Sequence, residues 1–492
     1  MRKLSQLGSD FGTEKQAAMA NKWKRSCQRL LTLVKKAGAC MLFMVKGKGA
    51  RIPHGTLDDF RAQGLCMFWL VWFLIILGLG FVPFEVVGAG EPQVDAAPGD
   101  TWPRFRGPNG RGERDDVRVP LEWTGGIIRW QVDLPGVGHS SPIVWGDLVY
   151  VTSALPEDAT QILRAYRAED GSLVWEKRYP SRPHRVHSFN CYASSTPAVD
   201  EKRIYWAWGN PEELVVVALD RTSGRELWRQ RLGPFVAEHG FGASPIVADG
   251  LVILPNEQDG ESCVVALEAS TGQLVWRTPR RSEKTAYSTP AVLAPAGREP
   301  QIVLTSWAHG ISVLDLHTGK PVWELPVFRF RVVASPFVAD RFIFASSGEG
   351  GVGRQLVVVR YPAEVGQQPT KVLELAQDIP YVPTPVAAGD LVFLWSDRGV
   401  VSCVELKQMA VLWKERLGGQ YFASPVRTGD QIFNISRQGE VVILRAARRF
   451  EVLSRFNLAE GTHATPAIAR DNVFVRTYSR LLAVPTLPVQ AK

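Results

Sequence analysis

A Ser/Thr-Pro step that opens an apolar alternation recurs eight times, at Pro142, Pro197, Pro245, Pro290, Pro336, Pro385, Pro425 and Pro466, at intervals of 55, 48, 45, 46, 49, 40 and 41 residues. A period of this length constrains the fold more than any single motif, because each unit is one supersecondary module that buries its apolar surface only against its neighbours. A second mark follows most steps: an apolar run, a turn, then Gly with Trp four residues on. Gly171 with Trp175, Gly224 with Trp228, Gly272 with Trp276 and Gly319 with Trp323 are the clean copies. Each reads as strand, tight turn and strand, which is a hairpin signal. The residues after the proline ("PIVADG", "LVILPN") supply two further strands, so about 46 residues hold four strands, the size of a propeller blade.

Trp413 in "ELKQMAVLW" keeps the aromatic and loses the glycine, and the segments around Leu373 and Leu453 have lost both. The fifth and seventh units are therefore degenerate, and a seven-bladed ring is the alternative count. The eighth unit, from Pro466, supplies three strands. Gly126 and Trp130 in "GGIIRWQVDLPG" match a fourth strand with no third before it. Pairing of 127–134 beside 481–484 would complete the last blade and leave no exposed edge. The expected fold is all-β: an eight-bladed propeller of four-stranded blades over 121–488, closed by an N-terminal strand. Trp130, Trp175, Trp228, Trp276, Trp323 and Trp413 are its expected blade anchors, filling the wedges between blades.

The formal charge of +8 lies entirely in residues 1–89, which hold 13 Lys/Arg against 5 Asp/Glu; the remainder balances at 44 of each. The body therefore lacks the basic surface that nucleic-acid binding requires, and no nucleic-acid partner is expected. Residues 1–65 read as a basic leader, disordered or belonging to an over-long translation start. Residues 66–89 contain 19 uncharged residues from Cys66 to Phe84 and read as a signal-peptide core or a transmembrane helix, with Val87-Gly88-Ala89 as a cleavage site. Either way the body is expected outside the cytoplasm, periplasmic or in the cell envelope, secreted or anchored by one N-terminal helix. Residues 90–120 read as a linker or a strap across the propeller. A monomer is expected.

The pattern "ALD-x-x-TG-x-x-x-W" resembles the pyrroloquinoline-quinone (PQQ) repeat of quinoprotein dehydrogenases and of the non-enzymatic outer-membrane-protein assembly lipoprotein. "WPRFRGPNGRG" at Trp102 to Gly112 resembles the opening of exported members of unknown function. For an enzyme of this family the resemblance implies a quinone held between a Trp and a disulfide of neighbouring cysteines, with Ca²⁺ bound by carboxylate and amide oxygens. Only Cys191, Cys263 and Cys403 lie in the body, none adjacent to another. No Glu, Asn and Asp set for calcium stands out, and no zinc-protease, Walker or nucleophile-elbow motif is present. No catalytic residue and no metal ligand is assigned, and neither PQQ nor calcium is expected with any force.

Loops that lead into the innermost strands surround one mouth of the central channel. Three to five residues ahead of the proline stand His139, Tyr192, Phe241, Tyr287, Tyr381, Phe422 and His463, with valine in the fifth unit. Trp208, Trp307 and Trp395 end second strands and are expected near the same face. The longest loop, "YPSRPHRVHSFNCYASS", adds His187 and Asn190, with His184 beside them. Long loops on a rigid scaffold carry binding, and an aromatic funnel suits an apolar group or an extended peptide. Three functions stay open: a non-catalytic scaffold whose partner is an envelope protein or small apolar ligand, a PQQ-dependent quinoprotein oxidoreductase, and a membrane-tethered sensor ectodomain.

Overall fold

A computed structural model describes residues 99–123, 126–282, 284–295, 297–364 and 366–489. The leader, the apolar segment and the cleavage site lie outside the described residues. Eight antiparallel sheets form eight blades. Blade 1 comprises Ile143–Trp145, Leu148–Ala154, Gln161–Arg167 and Leu173–Tyr179 from channel to periphery. In every blade the innermost strand begins on the residue after the repeat proline: Ile143, Ala198, Ile246, Ala291, Phe337, Val386, Val426 and Ala467. Proline has no N–H to leave unpaired there, so it suits the first position of a channel-lining edge strand.

Eight is the correct count. The degenerate fifth unit still forms four strands, ending in Thr370–Leu375, and the seventh ends in Val452–Asn457. The eighth blade takes its outermost strand, Trp130–Asp133, from the N-terminal side. Its register sets Trp130 against Ala483 and Asp133 against Arg480, which realises the expected closure. In blades 1 to 7 the third and fourth strands shift register immediately after the residue paired with the anchor position, for example between Ala165 and Tyr166 and between Cys403 and Val404. A bulge at this point increases the local twist that fans the blades.

The residues before blade 1 thread the ring. Thr101–Trp102 adds to the innermost strand of blade 1, and Glu113–Arg114 pairs parallel with that of blade 7. Further along, Val117–Arg118 pairs with Leu487–Pro488 near the C-terminus. The Gly99 and Asp100 carbonyls accept from Arg470 and Gly146, in the turns between first and second strands of blades 8 and 1. The strap thus enters on the face opposite the Ser/Thr-Pro loops. Among the described residues no helix is long and apolar enough to cross a membrane.

Candidate functional site

The Ser or Thr before each repeat proline forms a belt around the channel. The backbone N–H of one blade donates to the side-chain hydroxyl of the next: Ser141 to Thr196, Thr196 to Ser244, Thr289 to Ser335, Ser335 to Thr384, Thr384 to Ser424, Ser424 to Thr465, and Thr465 to Ser141, at 2.9–3.1 Å. These seven seams explain why the step is Ser/Thr-Pro. The hydroxyl satisfies an N–H that no strand reaches, and each bond contributes about 1 kcal/mol net.

Below the belt the strap closes the channel. Trp102 and Arg106 are fully buried and Arg104 nearly so. The Arg106 guanidinium donates to the carbonyls of Gly110 (3.0 Å), Arg111 (3.2 Å), Pro425 (2.9 Å) and Pro385. Arg104 donates to the Pro290 carbonyl, and Asn109 pairs with both backbone groups of Val292. Innermost strands present unpaired backbone to the channel, and the five-donor guanidinium fork suits several carbonyls at once. The glycines permit this threading: Gly107 (φ 71°) lies under the Trp102 indole, where a Cβ would sit 2.6 Å from the ring, and Gly112 (φ 68°) packs on the Arg106 guanidinium.

Above the belt is a blind funnel of about 740 Å³, floored by Phe105 of the strap. Its volume lies within the usual range of ligand pockets. The residue three before each repeat proline lines it in every blade: His139, Ser194, Gly242, Tyr287, Val333, Val382, Phe422 and His463. His139 and His463 meet across the seam of blades 1 and 8 with ring centroids 4.2 Å apart. Arg437 donates from Nε to His463 Nε2 at 3.1 Å and lies over the Phe189 and Phe422 rings at 4.2 and 4.8 Å. Across the mouth His187 stacks on His239 at 4.6 Å, and Arg331 bridges His239 Nε2 (2.8 Å) to Glu238 (2.9 Å). Burial, then the neighbouring Arg476, lowers the His139 pKa to about 4; burial, then His139 itself, lowers that of His463 to about 3. Both imidazoles are therefore neutral at neutral pH.

Of the expected binding-face residues, His139, His187, Asn190, Tyr287, Tyr381, Phe422 and His463 come together on the funnel. The others do not line it. Tyr192 folds back to bond the backbone of His184, and Phe241 packs edge-on to Phe235 in the wall between blades. Trp208 stacks on Tyr179, Trp395 meets the Tyr421 ring edge-on, and Trp307 packs on the wedge around Trp323. Their positions at the ends of second strands put them inside blade seams, where a large ring is needed to fill the outward-widening gap. Sequence reasoning missed Phe105, Phe189, His239, Lys284, Arg331 and Arg437. A fixed offset of three residues before the proline, in place of a three-to-five window, marks one lining position in every blade and omits Tyr192 and Phe241, though it loses Tyr381, which lines the funnel from four residues ahead.

The six expected anchors do sit between blades. Indole Nε1 of Trp130, Trp175, Trp228, Trp276 and Trp413 donates to a carbonyl of the next blade at 3.0–3.2 Å, and Trp323 is buried in the following wedge.

A closed ring of Trp-latched, four-stranded blades on a Ser/Thr-Pro belt defines a PQQ-repeat β-propeller. Residues 113–190 and 161–415 match the family model described as outer membrane protein assembly factor BamB, and the chain belongs to that family. It is 22% identical over 305 residues to outer membrane protein assembly factor BamB of Shewanella oneidensis, covering 59% of this chain and 73% of that protein. Among solved structures, BamB from Moraxella catarrhalis superposes with a TM-score of 0.53 at 18% identity, over 72% of this chain and 96% of that one. Quinohemoprotein alcohol dehydrogenase from Comamonas testosteroni gives 0.57 at 14% identity, over 79% and 81%. These two likenesses are of fold alone.

The quinone and calcium of the dehydrogenase branch do not fit the residues present. Cys191, Cys263 and Cys403 are unpaired thiols, buried in separate parts of the ring. Among the described residues no three His, Cys, Asp or Glu side chains converge, and of the two funnel carboxylates Glu238 is engaged by Arg331.

Proposed function

We propose that this chain is a non-catalytic scaffold of the cell envelope that captures envelope proteins at the mouth of its funnel. One observation carries this reading: a rigid ring whose channel is stopped by its own strap, leaving a single-ended funnel with an apolar wall and a lip of long loops. A blind funnel offers a partner a pocket to fill, and rigid walls reduce the ordering cost of binding. Membership of a family described as an outer membrane assembly factor supports both the location outside the cytoplasm and the scaffolding role. Action as a monomer, attached through the N-terminal apolar segment, completes the proposal. The strap enters at Gly99 on the face opposite the mouth, which leaves the mouth open.

The test is cross-linking in intact envelopes followed by identification of the captured proteins. Phe189, which is 43% exposed, and Phe422 meet edge to face at the lip. Replacing both by serine is expected to lower capture of the identified partner at least fivefold while leaving the melting temperature within a few degrees. Undiminished capture would remove the mouth from the interface.

A further inference from the structure

The charges that line the funnel balance, Lys284 and Arg331 against Glu238 and Glu349, but behind the lining the four cations Arg104, Arg106, Arg437 and Arg476 outnumber the two carboxylates Asp259 and Asp397. Arg437 covers two of the funnel's aromatic rings. Arg104 and Arg106 lie one residue to either side of the floor residue Phe105 and bond the carbonyls of Pro290, Pro385 and Pro425, each directly after a belt residue. Arg476 lies behind His139, bonded to the Ser140 hydroxyl at 2.9 Å and to the Thr152 carbonyl. Among the described residues Arg104, Arg106, Arg437, Arg476 and Lys284 form no ion pair with a carboxylate. Burial lowers Arg104 and Arg106 only to about 9, so both stay charged at neutral pH. The lining offers Glu238, held by Arg331, and Glu349 in return. Backbone carbonyls solvate the buried guanidiniums without cancelling their charge, and an enclosed low-dielectric site extends their reach.

The belt adds donors. Seven of its hydroxyls each accept one backbone N–H, which leaves the O–H and one lone pair to meet a ligand. The walls are apolar rings and neutral imidazoles. The site therefore favours a ligand with hydrogen-bond acceptors, negative charge and an apolar body.

Resting on the reading of the mouth as a protein-capture site, we propose that the funnel takes an extended acidic peptide segment of the partner, with an aromatic or large aliphatic side chain resting on Phe105. The carboxylates of that segment face Lys284 and Arg331 at the lip. Phe105 is the specificity-determining residue, because it alone of the strap sets the depth of the cavity.

The probe is a dye-labelled decapeptide alternating Glu and Phe, titrated against the full-length chain by fluorescence anisotropy. Counterparts carry Gln for Glu, Lys for Glu, or Ser for Phe. Saturable binding is expected for the acidic aromatic peptide, weakened at least tenfold by either Gln or Ser and abolished by Lys. Lys284→Glu is expected to weaken it severalfold, and Phe105→Trp, which raises the floor, to weaken the Phe-containing peptide more than the Ser one. Should Phe105→Trp disturb the strap, Lys284→Glu and the salt dependence of binding still decide the question. Equal binding of the Lys peptide, or indifference to Lys284→Glu, overturns the proposal. So does saturable binding of a dye-labelled heparin tetrasaccharide where the peptide shows none, which would assign the site to an anionic glycan. If envelope capture depends on Phe189 and Phe422 yet no peptide binds, the ligand class fails while the scaffold reading stands; if neither holds, both fail.

Discussion

The first three blades and the seventh solve one packing problem in two ways. The Gly-x-x-x-Trp mark looks like a property of a single hairpin, but its two residues serve different seams. The Trp175 indole lies on Gly224 of the next blade, Trp228 on Gly272 and Trp276 on Gly319, so close that a Cβ added at each glycine would sit 2.5–2.8 Å from the ring. Each indole also donates to a carbonyl of that same turn, Arg221, Ala269 or Leu316. Glycine is required at these positions twice over, for positive φ near 70° and for the approach of the ring. In blade 7 the anchor register falls on Ser454, opposite Ile443. The missing ring is supplied by Trp123, from the segment that precedes Trp130–Asp133. Trp123 is 4% exposed, meets Phe433 at 5.6 Å and Phe456 at 5.4 Å, and so takes the place against a second-strand aromatic that Trp413 takes against Phe393 at 5.9 Å. A repeat degenerates where another part of the chain does its work.

The largest expected effect tests that equivalence. Trp228→Ala and Trp123→Ala should each cost about 3–5 kcal/mol, the range for emptying a large aromatic site in a core that cannot fully collapse. Denaturant midpoints for the two variants are expected to fall together. A cost below about 1 kcal/mol for Trp123→Ala would break the comparison and leave blade 7 stable without an anchor.

That pairing also shows what could be seen from the amino-acid order. The belt prolines, the four-strand modules and the closure by 130–133 were all legible, because each rests on a local pattern repeated at a fixed spacing. Trp123 was not, since nothing near it in sequence resembles the hairpin it completes. The funnel was half legible for a similar reason. His139, Tyr287, Phe422 and His463 follow from the repeat, whereas Phe105, Arg104 and Arg106 reach the channel from a segment outside it. Arg331 and Arg437 had no signal beyond being arginines in loops, and only their distances to His239, His463 and the lip aromatics single them out.

A smaller effect sharpens the comparison at the fifth and sixth blades. Blade 5 carries Leu373 in the anchor register, opposite Val358, and blade 6 carries Met409 at the turn position where clean units have glycine. Met409 keeps a positive φ of 51° and packs on the same apolar cluster as Leu373. The smaller ring-side residue and the larger turn-side residue fill one wedge between them. Leu373→Trp alone should therefore cost about 1–3 kcal/mol by overpacking. Combined with Met409→Gly it should recover much of that loss, giving a favourable coupling energy in a double-mutant cycle. Strictly additive costs would show that the glycine and the indole do not read each other.

The seam between blades 8 and 1 is a third kind, and it should differ from all the others in its response to pH. Besides a belt bond it holds the His139–His463 pair, faced by Arg476, Arg437, Tyr478 and Phe422. Both folded-state pKa values, about 4 and about 3, lie below the ordinary imidazole value of 6.5. The unfolded chain therefore binds more protons than the folded one between roughly pH 6.5 and 3–4, and stability falls as the pH drops through that window. At pH 5 each imidazole should subtract about 1–2 kcal/mol relative to pH 7. His239, lowered by burial and by Arg331, contributes in the same direction from the far side of the mouth. Replacing His139 and His463 by phenylalanine keeps the rings and removes the proton sites, so the stability of that variant should lose most of its slope between pH 7 and 5. An unchanged slope would move the pH sensitivity away from this seam, which would then be held by its belt bond and the Trp130 indole.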